Sequence, residues 1–258
     1  DNLIQETVQE MEKLSRIIQG LMQDLLIRDI DENGNIRNNE SSTFIECRYG
    51  RIPGSWQIST LEKITEKIAD RDHRTPQYVD EGILIVSPKD FDELDNINFE
   101  TCNHIPSSEH LVNKNKTDLR PNDIVFTQIS VGLGKACLVS EDMPELSILH
   151  SMAQIRPNNN VEQPEYLLYS LRSFNLQKQI MDGIQSIGVP DLGLEKIKQL
   201  EILLPTIKEQ KRISTVLASN DNILKGLYSE LKKINQLKQG LMQDLLTGKV
   251  RVNALLKN

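Results

Sequence analysis

The sequence predicts a mixed α/β globular domain enclosed by two long α-helices that pair as an antiparallel coiled coil. Three observations carry this. The octet QGLMQDLL stands at residues 19–26 and again, letter for letter, at 239–246. Apolar residues around both copies step by seven along the chain. Between the copies lie short β-branched runs separated by polar turns, a pattern of strands and short helices.

The first helix occupies residues 1–28. Ile4, Met11, Ile18 and Leu25 recur every seventh residue, with Leu14 and Leu21 three beyond Met11 and Ile18. In the second helix, residues 206–248, Leu217, Leu224, Leu231 and Leu245 keep the same step, with Leu227, Ile234 and Leu241 between. This is an a/d heptad stripe, the spacing that lets two helices wind together. Lys238 and Asn220 interrupt it, as polar residues that fix register do. The second helix has a clear start, Thr206 and Glu209 spaced as a capping box after Pro205, and a natural stop at Gly248. About 40 residues at ~1.5 Å each make a rod of roughly 60 Å. The similarity between the repeats extends upstream, DNLI at 1–4 facing DNIL at 221–224. The sequence therefore opens at a point well inside the repeated helix. A preceding half is thus expected upstream of residue 1.

Residues 29–50, polar and rich in turn formers, read as a linker. The globular domain spans 51–205. Trp56 to Ile68 reads as a short strand and helix, and strands follow at ILIV (83–86), DIVFT (123–127), KACLVS (135–140) and SMAQIR (151–156). Pro164 suits the first turn of a helix that continues or restarts to about Asp182. ILLP (202–205) is the last strand, and residues 249–258 form a tail.

Composition excludes several classes of function. No apolar run approaches the ~20 residues of a membrane helix. Cys47, Cys102 and Cys137 stand far apart, which argues against a disulfide framework and places the chain in a reducing cytoplasm. There is no phosphate-binding glycine loop of the Walker type and no dinucleotide fingerprint. Cys102, His104 and His110 lack a fourth ligand for zinc. His73 and His150 have no partners that suggest a triad. No catalytic residue and no metal site is therefore assigned. Net charge is −7, and residues 29–206 alone carry seventeen Lys/Arg against twenty-eight Asp/Glu, or −11. That balance opposes nucleic-acid binding and keeps open a coiled-coil adaptor whose middle domain binds protein.

Against this stand the motifs. EQKRIS (209–214) after a strand ending LLP, and a long helix closing in LKQGLMQDLLTGKVRV (237–252), resemble the conserved region of type I restriction–modification specificity (S) subunits. TPQYVDEGILIVSP (75–88), LRPNDIVFTQISVGLGKACLV (119–139) and QSIGVPDLGLEKIKQLEILLP (185–205) resemble stretches of that family's target-recognition domain, although Asn122 stands where glycine is common. The resemblance implies one recognition domain beside an antiparallel helix pair, reading one half of a bipartite double-stranded DNA site. It implies that the octet is doubled because each recognition domain is followed by one conserved helix, and that this chain is the C-terminal half of a full subunit or a half-size subunit that dimerises. Partners would be modification subunits, restriction subunits, and a second recognition domain in the same full-length chain or gained by dimerisation. S-adenosylmethionine, ATP and magnesium would belong to those partners, and this chain would hold no cofactor.

Candidate DNA contacts follow from residue type. Arg71, His73 and Arg74 precede Thr75, Gln77 and Tyr78, which can hydrogen-bond. Lys114, Lys116 and Arg120 precede one strand, and Gln128, Ser130 and Lys135 flank the glycine loop after it. Arginine can take guanine in two bonds and glutamine can take adenine, so Arg74 and Gln128 are the expected base readers and the lysines the phosphate contacts. The acidic stretch from Asp80 to Glu100, seven carboxylates against Lys89, is expected to face away from DNA.

Overall fold

The computed structural model describes residues 1–28, 44–129, 132–161, 163–184 and 190–249. The chain divides into two compact units. The first gathers Asp1–Leu21 with the chain from Leu217 onward, and the second is Met22–Val216.

Helix α1 (Asn2–Arg28) leads into a hairpin of β1 (Phe44–Cys47) and β2 (Gly50–Pro53). Next come β3 (Gln57–Thr60), the single turn α2 (Leu61–Ile64), β4 (Thr65–Ala69), β5 (Ile83–Val86) and β6 (Asn103–Ile105). Then follow α3 (Ser107–Asn113), β7 (Ile124–Thr127), β8 (Ala136–Leu138), β9 (Leu146–Ile148) and β10 (Met152–Pro157). Helices α4 (Pro164–Arg172), α5 (Phe174–Gly183) and α6 (Leu194–Gln199) precede β11 (Glu201–Leu204) and the 40-residue α7 (Ile207–Leu246). The expected linker is thus a β-hairpin from Phe44; its remainder lies outside the described residues.

In the first unit the heptad stripe is visible as burial. Thr7 and Ile18 of α1 are buried, while Ile4, Met11, Leu14 and Leu21 are partly covered. On α7, Leu217 and Leu224 are buried and Leu227, Leu231 and Ile234 partly covered. The Lys238 ammonium pairs with the Asp1 carboxylate. Beyond that point the expectation fails. Leu241 is 54% and Leu245 46% exposed, with Met242 and Leu246 bare beside them. Asp1, just ahead of α1, thus marks the point on α7 beyond which the apolar stripe is exposed.

The capping box forms as expected. Glu209 Oε2 accepts from the Thr206 N–H and hydroxyl at 2.8 Å each, and the Glu209 N–H donates back to Thr206 Oγ1 at 3.4 Å. Together these satisfy backbone donors that the first turn of a helix otherwise leaves unpaired. At the other end Gly248 takes φ +71°, the left-handed stop.

The second unit holds the sheets. The largest runs β4-β10-β7-β8, antiparallel throughout. Every residue of β7 is buried, as is Met152–Ile155 of β10, so both faces of the two central strands are covered. That explains why they read as continuous apolar runs instead of alternating ones. A three-stranded sheet, β6-β5-β9, pairs β5 antiparallel with β6 and parallel with β9. The core between includes Val86, Val125, Cys137, Ile148 and Met152. Helix α4 packs on β8 and is pinned to β11 by Tyr166, whose hydroxyl donates to Leu203 O at 2.7 Å. The predicted helix restarts at Ser173, whose Oγ caps α5.

Candidate nucleic-acid interface

The segment after β4, Asp70 onward, runs against α3, where Arg71 meets Glu109. Helix α3 begins after Pro106, and its inner face is polar. His110 Nδ1 lies 2.9 Å from Ser147 Oγ on β9, and buried Asn113 reaches the same hydroxyl. Glu109 is the clamp: Oε1 accepts from Arg71 Nη2 at 2.7 Å, and Oε2 accepts from the Gln77 N–H at 3.1 Å. A buried arginine needs such a partner, since an unpaired buried charge costs several kcal/mol. Arg71 is 3% exposed, so it supports the loop from beneath and is not the surface contact expected of it.

Around this clamp the cations are paired. Asp72 receives Arg74 Nη2 at 2.9 Å and also the Lys116 ammonium. The Lys116 hydrogen bond, then that from Arg74, lowers the Asp72 carboxyl to about 2. Lys114 Nζ sits 2.5 Å from Glu145, which His110 Nε2 also approaches at 3.1 Å. These two hydrogen bonds hold Glu145 below its ordinary value. Arg74 is 75% exposed at its side chain, and Thr75, Gln77 and Tyr78 are exposed beside it.

Next to this lies a histidine pair, His73 and His150, with ring centroids 5.0 Å apart. Burial, then the charges of His73 and Arg71, depresses His150. Underneath is Gln128, and here the expectation is corrected. Gln128 is 1% exposed, and its Nε2 donates to Asp70 Oδ2 at 2.9 Å and to His150 O at 2.7 Å. Both amide donors are consumed, so Gln128 fastens Asp70 to the β9–β10 turn and cannot reach an adenine. Ser130 lies outside the described residues.

Two other candidates belong elsewhere. Lys135 Nζ is 3.2 Å from both Asp95 Oδ1 and Asp92 O, so it neutralises the acidic stretch instead of standing free for phosphate. Its loop is held by Gln177, which donates to Gly134 O at 3.0 Å. Gly134 has φ +88°, and a Cβ there would come 2.6 Å from Gln177 Oε1, so a side chain here would be strained and would displace the Gln177 amide. Arg120 donates to Asp118 at 2.6 Å in a cluster with Lys67 and Arg156. Asp118 is depressed well below the carboxylate range although burial opposes it, because the Lys67 hydrogen bond and the charges of Arg156, Lys67 and Arg120 outweigh that cost. Much of the acidity of Asp80–Glu100 is spent on local structure. Asp90 closes a one-turn capping box with Ser87, and Asp92 accepts from the N–H groups of Leu94 and Asn96.

Sequence reasoning missed α3 itself. Its signal was present: serines and Glu109 in the first turn, histidine and lysine at the end, as the helix dipole favours. Seven residues are too few to show a period. Among the described residues no group of three or more His, Cys, Asp or Glu is placed to hold a metal ion, and no helix is long and apolar enough to cross a membrane.

Comparison with known proteins places this geometry. The family described as Type I restriction modification DNA specificity domain matches residues 53–236. The type I restriction enzyme MjaVIII specificity subunit of Methanocaldococcus jannaschii is 24% identical over 270 aligned residues, covering 99% of this chain and 58% of that protein. The fold resembles the HsdS subunit of Thermoanaerobacter tengcongensis, with TM-score 0.54 and 15% identity over 96% of this chain and 54% of that one. It also resembles the type I restriction–modification S subunit of M. genitalium, with TM-score 0.59 and 15% identity over 95% and 58%. The chain thus spans a little over half the length of these relatives.

Proposed function

The chain belongs to the type I restriction–modification DNA specificity family, and we propose that its second unit reads one half of a bipartite DNA site while its two helices set the distance to a second reader. The observation that carries the reading is the assembly, on one rim, of the Arg74–Tyr78 loop with the lysines that end α3, in a domain of this family. Arg74 is the base reader of this set: it is exposed, and its planar guanidinium can take guanine O6 and N7 together. Lys114 and Lys116 serve phosphates by exchanging Glu145 and Asp72 for DNA oxygens. The family match disfavours the adaptor alternative, and the internal use of carboxylates in residues 80–100 weakens its charge argument.

The helices pair antiparallel through their heptad rows, as the burial stripe and the Asp1–Lys238 ion pair support. A rod of roughly 60 Å exceeds the ~34–36 Å of one DNA turn, enough to hold two readers a turn or more apart. The bare second octet is where a second recognition domain docks, in the same full-length chain or from another copy. Modification and restriction subunits supply catalysis together with S-adenosylmethionine, ATP and magnesium, in the cytoplasm; this chain positions them.

The test is to assemble the chain with its modification subunits and measure binding to a randomised duplex library. Wild type should enrich a defined half-site, and Arg74→Ala should lose about 1–3 kcal/mol of discrimination at one position. Lys116→Ala should weaken all sequences alike and reduce the salt slope by about one. Equal binding of all duplexes by the wild-type complex, or methyl transfer by this polypeptide alone, would overturn the proposal.

A further inference from the structure

Helix α3 exposes two adjacent aliphatic side chains, Leu111 at 65% and Val112 at 55%. Nothing in the packing of the domain requires them. The opposite face of α3 is fixed by polar contacts to three elements: Ser147 on β9, Arg71 after β4, and the Gln77 N–H. The helix is therefore held by these contacts with its apolar edge outward. Val112 lines a cleft of about 260 Å³ together with Arg71, Arg74 and Thr75. At its back, Arg71 is buried with Nε and Nη1 lacking any hydrogen-bond acceptor, although a buried guanidinium normally fills its donor positions. The cleft therefore suits an acceptor-rich ligand, and the edge beside it suits an apolar group.

We propose that α3 enters the major groove and that Leu111 and Val112 are specificity-determining residues which contact thymine C5-methyl groups. This rests on the DNA-reading function proposed above. The major groove is about 12 Å wide and admits a helix, and the thymine methyl is its one apolar feature. The flanking charge agrees with this occupant. Arg74, Lys114 and Lys116 border the edge, and their carboxylate partners Asp72 and Glu145 are 39% and 54% exposed, placed where phosphate can replace them. A protein partner of matching apolar character would be poorly served by that rim of cations. The serines at 107 and 108, exposed at the start of α3, add hydroxyl donors to this face.

The experiment uses the chain assembled with its modification subunits. Duplexes bound from a randomised library are sequenced for wild type, Leu111→Ser and Val112→Ser. Thymine is then replaced by deoxyuridine, which lacks only the methyl, at each position of the enriched site. The proposal expects one or two neighbouring A·T positions to lose preference in the variants, with melting temperature unchanged because both side chains are exposed. At those positions deoxyuridine should weaken the wild type about fourfold, the value of one buried methyl, and should have no effect on the variant that has lost the contact. Unchanged preference in both variants, or a deoxyuridine effect of equal size in wild type and variants, would overturn it. Loss of modification-subunit assembly with intact base preference would also overturn it, by making the edge a protein contact. A complex with no sequence preference at all would sink the DNA-reading function itself. A selective complex indifferent to Leu111 and Val112 would sink this inference alone.

Discussion

The duplicated octet offers a controlled comparison, because the same leucine occupies two environments in one chain. Leu25 in the first copy is 1% exposed and Leu245 in the second is 46% exposed. Truncating each to alanine removes the same atoms from the same local sequence, so helix propensity cancels and burial alone distinguishes the two. Leu25→Ala loses nearly the full transfer energy and leaves a cavity, which costs about 2–5 kcal/mol. For a cooperative unit of this size each kcal/mol lowers Tm by about 2–4 °C, so a mid-range loss of about 3 kcal/mol lowers it by roughly 6–12 °C. Leu245→Ala should stay within about 0.5 kcal/mol, a shift of roughly 2 °C or less. The assay is thermal unfolding of the purified chain followed by circular dichroism at micromolar concentration. Equal shifts in the two variants would refute the claim that the second octet is bare. A Leu245→Ala shift that grows with protein concentration would show the second copy being covered by another molecule, since binding raises apparent stability by mass action.

Three further outcomes follow from individual side chains. Asn122 holds φ +74° in the turn before β7, so Asn122→Gly should be neutral or stabilising, while Asn122→Ala should lower stability by about 1 kcal/mol, read by urea unfolding. Gln128→Ala should destabilise by about 1–3 kcal/mol, because it strips Asp70 of a buried donor, yet leave the half-site preference unchanged. In acid, folded Asp118 is held below its ordinary value while the unfolded chain titrates near pH 3.9. Its stabilisation is therefore complete above about pH 4 and is lost as pH falls through the folded value. Melting temperature measured from pH 6 to pH 2 should fall less steeply for Asp118→Asn than for wild type, and parallel curves would count against the Lys67–Asp118–Arg156 cluster.

What the sequence disclosed was set by how local each signal is. The capping box of Thr206 and Glu209 needs four consecutive residues, and the stripe from Ile4 to Leu25 needs only its own helix. Strands β5, β7, β8, β10 and β11 were legible because each is a dense apolar run between turns. Asn122, standing where glycine is common in the family, finds its reason in a positive φ that both residues tolerate. Gln128 was misread because its partners are far along the chain: Asp70 lies 58 residues before it and His150 22 after. Leu241 and Leu245 were misread for a different reason. A heptad specifies which face of a helix is apolar, but not whether anything lies against it. The charge argument failed in the same way. A total of −11 over residues 29–206 treats every carboxylate as free, whereas Asp72, Glu145 and Asp118 each sit against a cation. On the function proposed above, Lys116 and Lys114 would reach phosphate by changing partner, so each contact would release a carboxylate as well as the ions condensed on DNA. Because the freed Asp72 and Glu145 then face the same anionic backbone, affinity gained per lysine should be smaller than for an unpaired one. That exchange favours weak binding by the isolated domain and firm binding only when other subunits hold the duplex in place.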